Sequence, residues 1–499
     1  MQPPVAWPAR HPRHRGAGNG GPGPAAGGAG WRLWGRVLAL GTGYMSTQVV
    51  WALYNAYLPL FYGRFVSSNA LIGLIMIIDN IAAITVQPYF GALSDRVQTR
   101  LGRRMPFLLV GIPLTAAFLV LIPRADTLAA LLLATLLMNV GIGIYGSPSG
   151  ALMPDVTPPH LRARANGIIM FMGGVGALLA IFVLSPLFRR APALPFDRAA
   201  LLLLVSLAVV AAAVPEWRLA RRGDQSPVQP VAARPDVAPA DPVSGRAPSA
   251  PEEPVQAGEG AGTTAGPGIA TAHPGVAPAV PGEAAPEAPE RGRLLLALRA
   301  VWRAPDRSGL WLLLAGLTWV AAVNGAQNMF TRYGTEHLGL DEVGATYMLG
   351  YFAGPFILFS IPAGILGDLA GRLRTLRLGS LGLLTAFVAL ALEPAPAVAP
   401  LWFAFAGLCW ALLMSNAYPI LVNLAPPEAA GTYTGLWNLA VALAGLISPP
   451  LYGAAVDAFG WRAFFPVGTA FLLAALLFAY RITPAAAAAG TAAARRPGD

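Results

Sequence analysis

Val86-Gln87-Pro88-Tyr89-Phe90-Gly91-Ala92-Leu93-Ser94-Asp95-Arg96-Val97-Gln98-Thr99-Arg100-Leu101-Gly102-Arg103-Arg104-Met105-Pro106-Phe107 leaves one apolar run and enters another. Between them stand four arginines, Arg96, Arg100, Arg103 and Arg104. A short basic connection between apolar runs is what a polytopic membrane protein keeps on one side of the bilayer. Gly91 suits a close helix approach, because a small residue lets two backbones come together in lipid. Asp95, at the end of the preceding helix, has Arg96, Arg100 or Arg103 as ion-pair partners, or the positive N-terminus of a neighbouring helix. Such contacts would tie two parts of the molecule together on the basic side and release them when that side opens. Fixing topology is the simpler role for the same arginines.

The rest of the chain is of the same kind. Of its 499 residues 55% are hydrophobic and 12% are charged, against roughly a quarter charged in an ordinary soluble domain, which excludes a soluble globular fold. All 34 basic residues are arginine, so a lysine-dependent phosphate loop is excluded. A single cysteine, Cys409, excludes a disulfide framework and a thiolate metal cluster, and five scattered histidines form no metal-ligand pattern. The arginines sit between apolar runs and not on a basic, aromatic-rich module, so nucleic acid is not an expected partner.

A membrane-crossing helix needs about 20 mostly apolar residues. Twelve such stretches are present, at 34–62, 70–94, 106–123, 127–153, 164–188 and 197–214, then 308–331, 343–367, 374–393, 398–425, 431–457 and 462–480. The expected fold is therefore all-α and integral to the membrane. Residues 1–30 carry Arg10, Arg13 and Arg15 without the apolar core of a cleaved signal peptide and read as a disordered tail. Residues 215–292, rich in Pro, Ala, Gly and Glu, read as a disordered linker between a bundle at 31–214 and a second at 293–482, with a tail at 483–499. With both termini inside, 27 arginines fall on the inner side and 7 outside. Both termini are expected in the cytoplasm.

The halves repeat. Gly91-Ala92-Leu93-Ser94-Asp95 is matched 273 residues later by Gly364-Ile365-Leu366-Gly367-Asp368, and Asn55 by Asn328 at the same offset. Ser147, Pro158-Pro159 and Gly167 match Ser415, Pro426-Pro427 and Gly435 at an offset of 268. Ordered matches of this kind indicate a duplicated six-helix unit, the arrangement of transporters whose substrate site lies between two halves.

Several polar residues lie within the apolar stretches. Asp79 is the clear ionisable one, about 24 Å further out along its helix than Asp95 at 1.5 Å per residue, and such groups mark functional sites by default. It reads either as a structural carboxylate between helices or as a group for substrate or proton. Beside it is Asn80. Tyr44, Gln48, Trp51 and Asn55 share one face of the first helix, Asn324, Gln327 and Asn328 lie on the seventh, and Trp437 and Asn438 on the eleventh. Amides and aromatic rings suit a polyhydroxylated ligand, the amides meeting its hydroxyls and the rings its C–H face. The alternative is that the amides bond one another and the rings serve packing.

The 86–107 segment resembles the signature loop of the major facilitator superfamily, in the extended form found in the sucrose/proton symporters and the glycoside-pentoside-hexuronide:cation symporters. Ala151-Leu152-Met153-Pro154-Asp155, followed by Arg164-Ala165-Asn166, resembles the junction of the fourth and fifth helices in the same group. The resemblance implies two pseudo-symmetric six-helix bundles and alternating access. It implies a sugar as substrate and a proton as coupling ion, with no further cofactor or metal expected. The all-arginine basic complement with abundant Ala, Gly and Pro reads as a GC-rich bacterial genome, so the expected location is a bacterial inner membrane, as a monomer in the lipid bilayer. The resemblance also implies proton coupling at Asp155, with Arg164 beside it and Asp79, from its depth, as further candidates. The physical reading of the loop gives the gating residues as Gly91, Asp95, Arg96, Arg100, Arg103 and Arg104 with their counterparts Gly364, Asp368 and Arg372. From hydropathy alone, Asp155 lies near the inner membrane edge, where pairing with Arg162 or Arg164 is the competing role. The sodium-using relatives carry a pair of carboxylates where this chain has Ala83 and Gln87, so a sodium site of that kind is not expected. An exporter or antiporter of amphiphilic compounds shares the same scaffold. A membrane sensor would need a folded soluble domain, and an enzyme a nucleophile and base grouped at depth; neither is apparent.

Overall fold

The computed structural model describes residues 25–214, 306–392, 397–425 and 430–483, and these are almost wholly helical. The expected 1–30 tail, the 215–292 linker, the Pro426-Pro427 repeat match and the 483–499 tail lie, apart from residues 25–30 and 483, outside the described residues.

Twelve long helices are present among the described residues. They are α1 (Ala25–Gly63), α2 (Asn69–Arg96), α3 (Met105–Leu121), α4 (Leu128–Val156), α5 (Pro159–Arg189) and α6 (Leu194–Ala213), then α7 (Ser308–Glu336), α8 (Glu342–Ala370), α9 (Arg372–Ala391), α10 (Ala399–Leu424), α11 (Ala430–Phe459) and α12 (Phe464–Tyr480). Eleven are long and apolar enough to cross a bilayer. The exception, α1, has ample length at 39 residues but carries Thr42, Ser46, Thr47, Gln48 and Asn55 along its middle. It also starts before the expected position 34, at Ala25.

The same pairs of helices pack in each half. In the first, α1 lies on α5 and α6, α4 on α2 and α3, and α3 on α6; in the second, α7 lies on α11 and α12, α10 on α8 and α9, and α9 on α12. A duplicated unit predicts this correspondence. Where α4 crosses α2, a Cβ on Gly91 would collide with the Ser147 hydroxyl, so the glycine is needed for the approach. The second half makes its equivalent approach at Gly367, where a Cβ would collide with the Asn416 amide, one turn beyond the expected Gly364. Ser415 meanwhile bonds the Ser360 carbonyl at 2.8 Å, so the repeat-related serines Ser147 and Ser415 both face the partner helix.

The helices alternate in direction, so one face of the molecule carries the start of α1 and the end of α12. We call it the termini face and its opposite the far face. The halves meet toward the far face. There α2 packs on α11, with Gly73 against Pro449 and Pro450 and Gly453 against Asn69. Likewise α5 packs on α8, with Gly350 against Ile181 and Phe182 and the Phe182 and Tyr347 rings 5.4 Å apart. The end of α1 at Gly63 adjoins the Arg332 guanidinium of α7. Two polar latches close this face. Asp457 of α11 accepts hydrogen bonds from Ser68 Oγ at 2.7 Å, Asn69 N at 2.8 Å, Asn69 Nδ2 at 2.9 Å and Ala70 N at 2.9 Å, at the first turn of α2. Arg189 at the end of α5 pairs with Asp341, the N-cap of α8, at 2.7 Å.

Candidate functional site

On the termini face the charged groups pair within their own half. Arg104, with 8% of its side chain exposed, reaches Asp95 at 2.7 Å, Asp155 at 3.3 Å and Ser94 Oγ at 2.6 Å, while Arg103 reaches Asp155 at 3.4 Å. Asp95 therefore pairs with Arg104 and not with Arg96, Arg100 or Arg103. The loop's turn is the reason. Thr99 and Gly102 exchange backbone hydrogen bonds, and Gly102, at φ +109, reverses the chain so that the first residues of α3 return beside the end of α2. Asp155 likewise meets Arg104 and Arg103, and Arg162 instead bonds the carbonyls of Pro154 and Thr157. Arg96, Arg100 and Arg164 are exposed. In the second half Arg372 pairs with Asp368 at 2.8 Å, one turn away, and Gly371 at φ +95 makes the turn between α8 and α9.

Further into the molecule, α2 is interrupted. Its hydrogen-bonded helix stops at Ile75, turns through Met76 and Ile77 and resumes at Ile78, so Asp79 sits in the first turn of the second piece. A helix N-terminus favours a negative group. Asp79 and Asn80 are both buried, and Asp79 Oδ1 accepts from Asn80 N at 2.7 Å and Asn80 Nδ2 at 2.8 Å. Asp79 is the one acidic side chain among the fully buried polar residues described. Across the seam Asn80 faces Gly445 of α11. Pro449, lacking an N–H, leaves the Gly445 carbonyl without its usual intrahelical partner at this point.

The amides divide into two kinds. Asn328 Nδ2 donates to Asn324 Oδ1 at 2.5 Å along α7, so these two bond each other. Asn55 Oδ1 on α1 is buried and has no hydrogen-bond partner among the described residues. Gln48 and Tyr44 lie over Gly173 of α5, and the Trp51 ring stands edge-on to Tyr54 at 5.4 Å. Trp437 is wedged against Gly316 of α7 and serves helix packing. Gln327 and Asn438 are half-buried.

Sequence reasoning passed over the far-face latches and a polar cluster between α1 and α4. That cluster runs from Tyr62 Oη, which donates to Thr135 Oγ1 at 2.9 Å, to Asn139 Nδ2, which donates to the Thr135 carbonyl at 3.0 Å and to Tyr54 Oη at 3.3 Å. An amide in the middle of an otherwise apolar stretch was the available signal for Asn139. For Asp457 and Asp341 the signal was an acid at the end of an apolar stretch, which is common and says little without knowing which helix it meets.

Residues 40–445 match the family profile of the Major Facilitator Superfamily, and residues 335–497 match it again. Sucrose transport protein SUT3 of Oryza sativa subsp. indica is 27% identical over 156 residues, covering 27% of this chain and 31% of that protein. Sucrose transport protein SUC3 of Arabidopsis thaliana is 23% identical over 156 residues, covering 27% and 26%. The general alpha-glucoside permease of Schizosaccharomyces pombe is 26% identical over 170 residues, covering 31% of each chain. The matched segment thus spans less than a third of the length of these curated relatives. Among solved structures, the nucleoside transporter NupG superposes with a TM-score of 0.61 at 11% identity, over 90% of this chain and 99% of that one. A bacterial homolog of the human lysosomal transporter Spinster, inward-facing and unoccupied, does so with a TM-score of 0.55 at 14% identity, over 95% and 98%. At such identities these two speak to the fold alone. Twelve helices in two matching halves, and a family match over most of the chain, make this protein a multi-pass membrane transporter of the Major Facilitator Superfamily.

Proposed function

We propose that this transporter imports a sugar of di- or oligosaccharide size, such as sucrose or maltose, in symport with protons. The termini face is the cytoplasmic side of a bacterial inner membrane, and the latched far face makes this the inward-facing state. The observation that carries the reading is Asp79: a buried carboxylate, bonded among the described residues by its neighbour Asn80, beside the seam that opens and closes. The sucrose and alpha-glucoside relatives support the choice of sugar.

Asp79 carries the proton in this scheme. A buried charge is costly unless it is paired, whereas the neutral acid is not, so protonation and the approach of α2 to α11 favour one another. Asn80 touches both the carboxylate and Gly445 and transmits the change. Asn55, with its unpartnered oxygen, Asn324, Asn328 and Gln327 bind hydroxyls, with Gln48, Trp51 and Asn438 completing the lining. Asp155, held by Arg104 and Arg103, acts with Asp95 in the termini-face gate, a different part of the coupling from the proton site. No bond in the sugar is made or broken. No preformed oxygen cage for sodium is needed.

The test is uptake of labelled sucrose and maltose by proteoliposomes. A proton gradient, acid on the far side, should drive accumulation that a protonophore abolishes. Accumulation driven by a sodium gradient at constant pH, or none of either sugar under any gradient, would contradict the proposal. Asp79→Asn should retain sugar exchange and lose gradient-driven accumulation.

A further inference from the structure

The polar edge of α7 does not end at its amides. Asn324, Asn328, Arg332 and Glu336 follow one another at four-residue spacing, and side chains so spaced meet along a helix. Asn328 bonds Asn324, and Arg332 bonds Glu336 twice, from Nε at 2.8 Å and from Nη2 at 2.6 Å, both on the same oxygen, Oε1. The edge therefore runs from the middle of the helix to its far-face end, rising about 6 Å per step. Arg332 is 4% exposed, yet its buried Nη1 has no hydrogen-bond partner among the described residues, whereas the Glu336 side chain is 42% exposed. Buried polar groups are nearly always paired, so an idle nitrogen on a buried guanidinium calls for an explanation that a helix brace does not supply. The guanidinium is covered from the first half: a Cβ on Gly63, the last residue of α1, would stand 3.2 Å from Arg332 Cζ. From the second half the half-buried Trp461 ring has its centre 5.9 Å from the same carbon.

We propose that Arg332, Glu336 and Trp461 form an outer sugar subsite, which takes one ring of a di- or oligosaccharide when the far face opens and which the end of α1 caps in the state described here. Nη1 supplies two N–H donors for neighbouring hydroxyls, Glu336 Oε2 accepts a hydroxyl hydrogen, and the Trp461 ring meets the C–H face of the sugar. The bonds already made on Oε1 hold both charged groups in place before the sugar arrives. Because the pair is neutral as a whole, it suits an uncharged polyol: Glu336 opposes an anion and Arg332 a cation. Asn328, one turn further in, meets the next ring, a step of about 6 Å that neighbouring rings of one oligosaccharide span. Gly63 belongs to the first half and the three subsite residues to the second, so parting of the halves at this face uncovers the subsite.

This inference rests on the sugar reading above, and the experiment separates the two. Proteoliposomes under a proton gradient take up labelled sucrose or maltose from the far side, which gives a KM, and inhibition by glucose gives the affinity of a single ring, too small to fill both subsites. The parent should prefer the disaccharide to glucose by at least about tenfold. Arg332→Gln should raise the disaccharide KM by about ten- to a hundredfold and leave the glucose inhibition constant within about twofold. Glu336→Gln, at an exposed position that the fold tolerates, should act in the same direction by less, and Trp461→Leu by about two- to tenfold. A merely structural role would move both sugars together. A preference for the disaccharide that survives in both Arg332→Gln and Glu336→Gln, or a loss equal for the two sugars, overturns the outer subsite alone. Uptake of neither sucrose nor maltose by the parent overturns both claims.

Discussion

Among the described residues, charged groups bridge the two halves on one face of this transporter and not on the other. On the far face Asp457 and Arg189 reach across the seam to the other half, whereas on the termini face Arg104 and Arg372 pair within their own half. The exposure of the acids agrees: Asp95 is 60% and Asp368 56% exposed at the side chain. The far face also holds pairs within one half, Arg124–Asp197 at 2.7 Å and Arg332–Glu336 at 2.6 Å, so what marks the closed face is the addition of bonds across the seam. The termini face has the residues for a latch, but in this state they serve the loops that carry them.

The strongest way to break that difference is at Asp457, which accepts four hydrogen bonds at the N-terminus of α2. Hydrogen bonds to a charged group contribute about 1.5 to 3 kcal/mol. Asp457→Ala should therefore raise the ratio of far-face-open to far-face-closed molecules by about ten- to a hundredfold, measured as a lengthened separation between spin labels placed at Arg64 and Leu338, at the far-face ends of α1 and α7. Next comes packing. Gly73→Ala would drive a methyl into the Pro449 carbonyl, and overpacking costs about 1 to 3 kcal/mol. The same shift toward opening is expected, whereas Gly91→Ala, which crowds Ser147 within one half, should lower thermal stability in detergent and leave the label separation unchanged.

Arg104→Gln sharpens the comparison from the other side. It removes the cation shared by Asp95 and Asp155, and with both acids partly exposed the loss should be about 1 to 2 kcal/mol of stability. The melting temperature should fall by a few degrees, with no opening of the far face. The smallest effect is expected at Asp341. Its ion pair with Arg189 is exposed on both sides, and such pairs contribute about 0 to 1 kcal/mol. Asp341→Asn should change the open-to-closed ratio by no more than about fivefold. The hydrogen bond from Arg189 holds the Asp341 carboxyl below its ordinary range in the latched state. That contribution is complete above about pH 4 and is lost as the pH falls through the lowered value, so strong acid should reproduce the Asp341→Asn result in the parent protein.

The parts legible in the sequence were those decided along one chain segment. Apolar length and arginine spacing located the helices, and Gly91 could be read as a close-contact position because loss of the side chain has few other uses between helices. Asp79 stood out because an acid in an apolar stretch has few structural excuses. What was not legible depends on two segments meeting. Asp457 becomes a latch only because α11 ends beside Ser68, and Arg104 reaches Asp95 only because Gly102 turns the loop back. The repeat also misled by one turn: the motif aligns Gly364 with Gly91, but the close approach of α8 to α10 falls at Gly367, against Asn416, whose repeat counterpart is Pro148 and not Ser147. Duplicated sequence preserves helix pairing better than it preserves the contact residue.

Alternating access requires the two faces to move in opposition. With labels at Arg64 and Leu338 on the far face, and in a second protein at Arg100 and Arg374 on the termini face, both separations should be measured in proteoliposomes with and without sucrose at acidic pH. The prediction is a short far-face and a long termini-face separation in the state described here, and changes of opposite sign when proton and sugar are added. Separations that lengthen or shorten together, or a far face already open at neutral pH, would contradict it.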